Sequence, residues 1–288
     1  MNNIAISLKN VSFVYGENTP FEIKALENVN LEIKSGVVTG IIGHTGSGKS
    51  TLVQLLNGLL KPTSGEVCVD GENIWDKPKE ISKVRYKVGL VMQYPEYQLF
   101  EDTVKKDIAY APTNMGLNEQ TIDKRVAEAS EFAGVDPEWL DKSPFELSGG
   151  QKRRVAIAGI MAMCPQVLVL DEPAAGLDPR GKKLILDGLR QYQKKTGSSV
   201  VIVSHSMEDM AKYCDEIIVM ASSKVIMQGT CDMVFSNASQ LADVGLDIPQ
   251  ITKIVENIRK HNIEISGNVY TVDAAYNEII TLFNKKDK

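Results

Sequence analysis

The sequence predicts an α/β domain whose central sheet is largely parallel. Four short, continuous apolar runs suit strands that are buried on both faces, and helical stretches separate these runs. A glycine-rich segment directly follows one run, at the edge where such a sheet binds ligands. The four predicted core strands are residues 37–42, 88–92, 167–170 and 200–203.

The first part of the chain contains two more predicted strands and one helix. Apolar residues alternate over 4–8 and, more loosely, over 25–33, which favours strands. After the first core strand and the glycine-rich segment, leucines at helical spacing predict a helix over 51–60. These leucines are Leu52, Leu55, Leu56 and Leu59.

Residues 94–165 are predicted to form a mostly helical insertion within a main domain that spans 1–225. Asp136 and Pro137 suit the N-cap and the first position of a helix. The face of another helix is marked by Ile122, Val126, Ala129 and Ala133.

The composition shifts near residue 225, and 226–288 are predicted to form a small terminal module of two amphipathic helices. Their apolar stripes either form a small core of the module or contact a partner. The stripes are Ile251, Ile254, Val255 and Ile258, and then Tyr276, Ile279, Ile280 and Phe283.

Composition excludes several classes of protein. The 288 residues are 43% hydrophobic and 24% charged, which excludes general disorder and collagen-like repeats. The net charge is −5, so nucleic acid is not an expected partner. The longest apolar run, 155–164, is too short to cross a bilayer, and residues 1–15 lack a signal-peptide pattern. We therefore expect a cytosolic chain.

The glycine-rich segment matches the phosphate-loop pattern G-x-x-x-x-G-K-[ST] between a predicted strand and a predicted helix. Glycines let backbone N–H groups surround phosphate oxygens at the helix N-terminus. Lysine then reaches the β- and γ-phosphates, and the final hydroxyl binds Mg²⁺. The alternative is a glycine-rich turn that arose by chance. The segment consists of Gly43, His44, Thr45, Gly46, Ser47, Gly48, Lys49 and Ser50.

Two carboxylates follow the core strand 167–170. The strand end is predicted to lie beside the phosphate loop, so Asp171 is a candidate Mg²⁺ ligand and Glu172 a candidate general base for an attacking water. The alternative is a pair of solvated charges at a strand end.

The run Leu147-Ser148-Gly149-Gly150-Gln151 gives the chain a close resemblance to ABC-type ATPases over roughly residues 4–230. The motif order also fits this family: phosphate loop, Gln93, signature, acidic pair and His205. The resemblance implies a P-loop NTPase core with a mostly parallel sheet, an antiparallel β subdomain, a helical subdomain and a C-terminal helical module. It also implies ATP and Mg²⁺ as ligands, and two chains that sandwich ATP.

The resemblance assigns roles to individual residues. The phosphate loop, Thr51 and Tyr15 would bind ATP. Mg²⁺ would be held by Ser50, Gln93 and Asp171. The catalytic residues would be Glu172, His205 and Gln93. Tyr15 would stack on adenine, although a tyrosine packed at a strand edge is an alternative. His205 would contact the γ-phosphate, and its alternative is a histidine bonded to the backbone. Facing the partner's ATP would be the signature residues Ser148, Gly149, Gly150 and Gln151, with Asp178 in the D-loop.

Finer motifs resemble the second, A-prime ATPase of energy-coupling factor (ECF) vitamin transporters, which are CbiO-like. They include the phosphate-loop residues 43–46 and the segment 93–100. This resemblance implies a paralogous ATPase as partner, although a homodimer is possible, and a transmembrane T component that joins a vitamin-binding S component. The chain would act at the cytoplasmic face of the membrane. The alternatives are the ATPase of another importer or exporter, or a soluble ABC ATPase.

Overall fold

Two sheets organise the main domain in the computed structural model, which describes residues 4–261, 265 and 268–286. The strands are β1 (Ile4–Tyr15), β2 (Ile23–Lys34), β3 (Val38–Gly43), β4 (Ser64–Val69), β5 (Glu72–Asn73), β6 (Val88–Val91), β7 (Val167–Asp171), β8 (Ser199–Val203), β9 (Glu216–Ala221) and β10 (Lys224–Thr230). The helices are α1 (Lys49–Leu56), α2 (Ile81–Lys87), α3 (Val104–Asn114), α4 (Glu119–Ala133), α5 (Gly149–Met161), α6 (Pro179–Thr196), α7 (Met207–Tyr213), α8 (Cys231–Phe235), α9 (Ala238–Asp243), α10 (Gln250–Lys260) and α11 (Val272–Lys286).

The larger sheet confirms the predicted α/β class. Its strand order is β10-β9-β3-β8-β7-β6, and every pairing except that of β10 with β9 is parallel. Residues of β7 alternate between two cores: Leu168 and Leu170 face one, whereas Val167 and Val169 face the other. Both faces of the sheet are therefore covered, which explains why its strands appear in the sequence as uninterrupted apolar runs.

A second sheet is the antiparallel β subdomain that the family resemblance implied. Its order is β2-β1-β4-β5, and all its pairings are antiparallel. Strands β1 and β2 have 12 residues each, so they extend well beyond the predicted 4–8 and 25–33. Their extension brings the end of β1 and the start of β2 to the phosphate loop.

The predicted helix over 51–60 is too long, because α1 ends at Leu56. Asn57 follows with its side chain donating to the Val88 carbonyl, and Gly58 has a φ of 69°, which turns the chain away from helical geometry. Leu59, predicted on the apolar stripe, is exposed as a result.

Helices α3, α4 and α5 lie within residues 94–165, and the predicted apolar face belongs to α4. Asp136 is a helix cap, since its side chain accepts from the Glu138 N–H at 2.9 Å, but it starts only the 3₁₀ turn Pro137–Trp139. Among the described residues, no helix combines the length and the apolar character needed to cross a membrane.

The C-terminal part belongs to two different cores. Strand β10 crosses the predicted division at residue 225, and α8 buries Val234 and Phe235 in the main core. Helices α10 and α11 surround a separate small core that includes Val255 and Ala275. The predicted stripe residues Ile254, Tyr276 and Ile280 are exposed instead, and the side chain of Phe283 lies outside the described part. The division at 225 stays a prediction.

Candidate nucleotide site

The phosphate loop connects β3 to α1 through a turn that only glycine accommodates. Gly46 and Gly48 have φ values of 81° and 100°, and Gly48 is the N-cap of α1. A Cβ on Gly43 would lie 2.4 Å from the Met220 carbonyl oxygen, so the strand end also requires glycine. The loop thus presents the N-terminus of α1 as an anion site.

Lys49 supplies a buried cation within this loop. Its Nζ donates to the carbonyls of Gly43 at 2.7 Å and His44 at 2.9 Å. Burial lowers the pKa of Lys49, while the nearby carboxylates Glu172 and Asp171 act in the opposite direction. The ammonium is therefore positioned to meet a strongly anionic ligand such as a polyphosphate.

Asp171 and Glu172 lie beside the loop at the carboxyl end of β7. Burial raises the pKa of Asp171, against a hydrogen bond from Ser50 and the charge of Lys49. Glu172 has a φ of 52°, and burial together with Asp171 raises its pKa to about 7. Such a carboxyl changes its protonation state near neutral pH, as a general base does.

His205 follows β8 and approaches Glu172, with 3.2 Å between Nε2 and Oε1. The two groups are not aligned as a hydrogen bond, and Glu172 Oε1 is buried without a hydrogen-bond partner. Burial and the charge of Lys49 lower the pKa of His205. The pair therefore leaves a buried carboxylate oxygen available to another donor, such as water.

One cavity of about 400 Å³ brings most of the predicted residues together. Gly43, His44 and Ser47 do not line it: the Ser47 side chain is buried, and the His44 ring contacts the Thr45 carbonyl. The predicted residues on its wall are Tyr15, Thr45, Gly46, Gly48, Lys49, Ser50, Thr51, Gln93, Asp171, Glu172 and His205. Ile23, Lys24 and Ala25 also line it, although no motif in the sequence marks them.

Tyr15 lines the cavity, and both its ring and its hydroxyl have neighbours. Its ring packs edge-on against Phe13, with 4.8 Å between centroids, and its hydroxyl lies 3.2 Å from Thr51 Oγ1. The residue is 41% exposed, so Tyr15 keeps accessible surface that could contact a base.

The signature residues lie on a different surface. Ser148 caps α5 through a full capping box, in which its N–H donates to the Gln151 side chain at 2.8 Å. Asp178 caps α6 by accepting from the Gly181 N–H at 2.8 Å. We call Ser148, Gly150, Gln151 and Asp178 the signature surface; these four residues line one cavity of about 570 Å³. Gly149 is exposed at the tip of α5 but is not on that cavity wall.

Two ion pairs around these sites have no local signal in the sequence. Arg153 of α5 pairs with Glu96, and Lys182 of α6 pairs with Asp209 of α7 at 2.5 Å. The partners are distant in the sequence, so only the packing of the helices brings them together.

The ABC transporter family model matches residues 26–175. This chain belongs to the ABC transporter family. Among curated relatives, the energy-coupling factor transporter ATP-binding protein EcfA2 of Clostridium acetobutylicum is 51% identical over 96% of both chains. The Clostridium tetani protein of the same name is 50% identical over 98% of this chain and 99% of its own. This ABC-family chain is thus an ECF-type ATP-binding subunit, and its activity is ATP hydrolysis coupled to transport.

Solved structures agree with the family. CbiO1 from Clostridium perfringens, part of the ABC transporter complex cbiONQ, has a TM-score of 0.75 and 40% identity over 88% of this chain and 99% of its own. The ATP-binding cassette MJ0796, a dimer bound to ADP and Pi after hydrolysis, has a TM-score of 0.71 and 31% identity over 78% of this chain and 98% of its own.

Proposed function

We propose that this chain is the A-prime ATPase of an ECF-type vitamin or micronutrient importer, and that it converts ATP-driven closure and reopening of a dimer into movement of a membrane component. The observation that carries the proposal is the separation of two half-sites. One cavity holds Lys49, Asp171 and Glu172, whereas the capped tip of α5 is exposed on the signature surface. Two chains complete each other's sites.

ATP binding follows from the residues of the cavity. The N-terminus of α1 and Lys49 would bind the phosphates, and Tyr15 would stack on the base. Mg²⁺ fits the Ser50 hydroxyl, the Asp171 carboxylate and the Gln93 amide, which are hard oxygen ligands on one wall. When bound, the ion supplies positive charge against the phosphate oxygens.

Glu172 is the residue that would activate water for hydrolysis of ATP. Glu172 would accept a proton from the attacking water, since its Oε1 is buried without a hydrogen-bond partner. His205 would contact the γ-phosphate from the end of β8. The tip of α5 in the partner would bind the same phosphate with its N–H groups, so that loss of the γ-phosphate lets the dimer reopen.

The partners are a paralogous ATPase, a transmembrane T component and its S component, at the cytoplasmic face of the membrane. A cluster of exposed aromatic rings after Gln93 suits a membrane-protein helix, because it offers apolar area that a monomer leaves unpaired. The exposed stripe of Ile254, Tyr276 and Ile280 would support the ATPase dimer. The aromatic cluster is Tyr94, Tyr97, Phe100 and Tyr110.

Affinity purification of the tagged chain from detergent-solubilised membranes tests the proposal. We expect a second ATPase and hydrophobic subunits to co-purify, with ATPase activity that requires Mg²⁺. Co-purification of ribosomes or DNA instead of membrane subunits would contradict transport. Membrane subunits accompanied by a soluble binding protein would favour an importer of another class.

A further inference from the structure

Arg153 is a buried charge outside the nucleotide cavity, and several groups contact it. Its Nε donates to Glu96 Oε2 at 3.0 Å and its Nη2 to Oε1 at 2.8 Å, a two-pronged ion pair. Its Nη1 donates to the Ala175 carbonyl, and its guanidinium lies 5.8 Å from the Tyr94 ring centroid. The Arg153 side chain is only 5% exposed. All three nitrogens of the guanidinium thus donate a hydrogen bond.

A buried ion pair such as Arg153–Glu96 fixes the relative positions of its two side chains, but its net contribution to stability is small. Removing two charges from water costs about as much as their attraction returns, so a buried ion pair is weak evidence for stability. The planar guanidinium nevertheless sets distance and angle at both oxygens, which a lysine does not. Burial alone would raise the pKa of Glu96. The hydrogen bonds and charge of Arg153 outweigh burial, so the pKa of Glu96 lies below its ordinary value. Glu96 therefore remains charged at neutral pH.

The three groups that meet at Arg153 belong to different functional segments. Glu96 lies in the turn Pro95–Gln98, which begins two residues after Gln93 and carries exposed aromatic rings nearby. Ala175 lies between Glu172 and Asp178, and its N–H donates to the Glu172 carbonyl at 3.2 Å. Arg153 itself is on α5, little more than one turn beyond the Ser148 cap. One side chain thus connects the turn, the signature helix and the loop beside the base.

We propose that Arg153 is a positioning residue that makes the turn Pro95–Gln98, helix α5 and the loop 174–178 move as one unit. A displacement of the turn is then passed to the loop next to Glu172 and to the signature surface. The link to the membrane side rests on the proposed function, because it takes the turn as the contact for a membrane component. The link to the loop does not depend on that function.

The test is Arg153→Lys in the complex purified with its natural partners. Lysine keeps the charge but loses the fork, so we expect kcat for ATP to fall by up to about 10²-fold, the effect of a misplacement near 1 Å. The KM for ATP and the affinity for Mg-ATP are expected to stay within about twofold, because Arg153 does not line the nucleotide cavity. Transported substrate per ATP is expected to fall as well.

Arg125→Lys is the matched control. Arg125 is a partly buried arginine of the same helical insertion, and its guanidinium donates to the Met163 carbonyl at 2.9 Å, away from the turn and the loop. We expect its kcat and transport ratio to stay near those of the unmodified protein. An equal loss of kcat in both variants, or a loss of ATP affinity in Arg153→Lys, would overturn the proposal.

Glu96→Gln keeps the shape of the pair and tests whether both residues act through one contact. We expect Glu96→Gln to lower kcat in the same direction, and the double variant to be no slower than the slower single variant. Independent, multiplicative losses would overturn the proposal. If the complex contains no membrane subunits, the proposed function fails. The kcat of the ATPase dimer then still tests the link to the loop.

Discussion

The two half-sites of this chain differ in how much of their chemistry is already enclosed. The phosphate-loop side is buried: Lys49 is 7% exposed and Asp171 is 6% exposed, and burial shifts the pKa of both. The signature side is a capped helix tip, with Ser148 and Gly149 exposed. Desolvated charges make strong electrostatic interactions, whereas an exposed helix terminus gains strength only when a partner excludes water.

The difference in enclosure assigns the two sides to different steps of the proposed function. Under the proposed function, the cavity with preorganised charges binds nucleotide within one chain. Under the same proposal, the exposed tip of α5 binds the nucleotide of another chain, which would exclude water from it. Substitutions on the first side are therefore expected to affect binding or chemistry, and substitutions on the second side to affect association.

The largest effect is expected from Glu172→Gln, which removes the base and keeps its shape. We expect single-turnover hydrolysis to slow by about 10²- to 10⁴-fold, the usual contribution of a general base, with ATP affinity intact. Glu146→Gln, on an exposed residue, is the control. Hydrolysis near the unmodified rate would contradict the assignment of Glu172.

Lys49→Ala tests the same side at the binding step. Loss of charge-assisted hydrogen bonds to phosphate is expected to weaken Mg-ATP binding by about 10- to 10²-fold, measured by calorimetry. Lys83→Ala removes an exposed cation of α2 that pairs with Glu80 and serves as control. An unchanged affinity would show that the buried ammonium does not contact the nucleotide.

The pH dependence of hydrolysis tests whether Glu172 on the phosphate-loop side acts as the base. Burial and Asp171 raise the pKa of Glu172 to about 7, so the carboxyl is protonated below that pH and does not accept a proton. We expect the rate to rise by about tenfold per pH unit below 7 and to level off above it. A rate that is independent of pH between 5 and 8 would contradict a base with this pKa.

The raised pKa of Glu172 favours hydrolysis at high pH but favours the folded state at low pH. The folded chain holds the Glu172 proton more tightly than the unfolded chain, whose carboxyl has a pKa near 4.5. Its contribution to the free energy of unfolding is therefore greatest at acidic pH and is lost as the pH rises through about 7. In Glu172→Gln, this part of the pH dependence is expected to disappear.

The smallest effect is expected from Ser148→Ala, on the signature side. Loss of one hydrogen bond from this hydroxyl to the partner's nucleotide costs about 1 kcal/mol, so ATP-driven association of the two ATPases is expected to weaken by about fivefold, with ATP affinity of the single chain unchanged. Thr103→Ala is the matched control, because Thr103 caps α3 by the same type of bond. Equal losses in both variants would mean that Ser148 acts only as a cap.

Much of the fold could be predicted because it depends on local patterns. The apolar runs of β3, β7 and β8 and the glycines of the phosphate loop are properties of short segments. The end of α1 at Leu56 was missed, because Asn57 bonds to the Val88 carbonyl, which belongs to a distant strand. The exposure of Ile254 and Tyr276 was also missed, because the helical spacing of apolar residues does not show which of them will be buried by neighbouring elements.

Which residues carry charge, which backbone positions require glycine and the order of the motifs could all be read from the amino-acid sequence. Tertiary structure alone decided what these groups contact. It joined Arg153 to Glu96 and Ala175, brought His205 beside Glu172, and separated the signature surface from the phosphate-loop cavity. The physical reason is that motif chemistry is encoded in neighbouring residues, whereas burial and pairing depend on how distant elements pack.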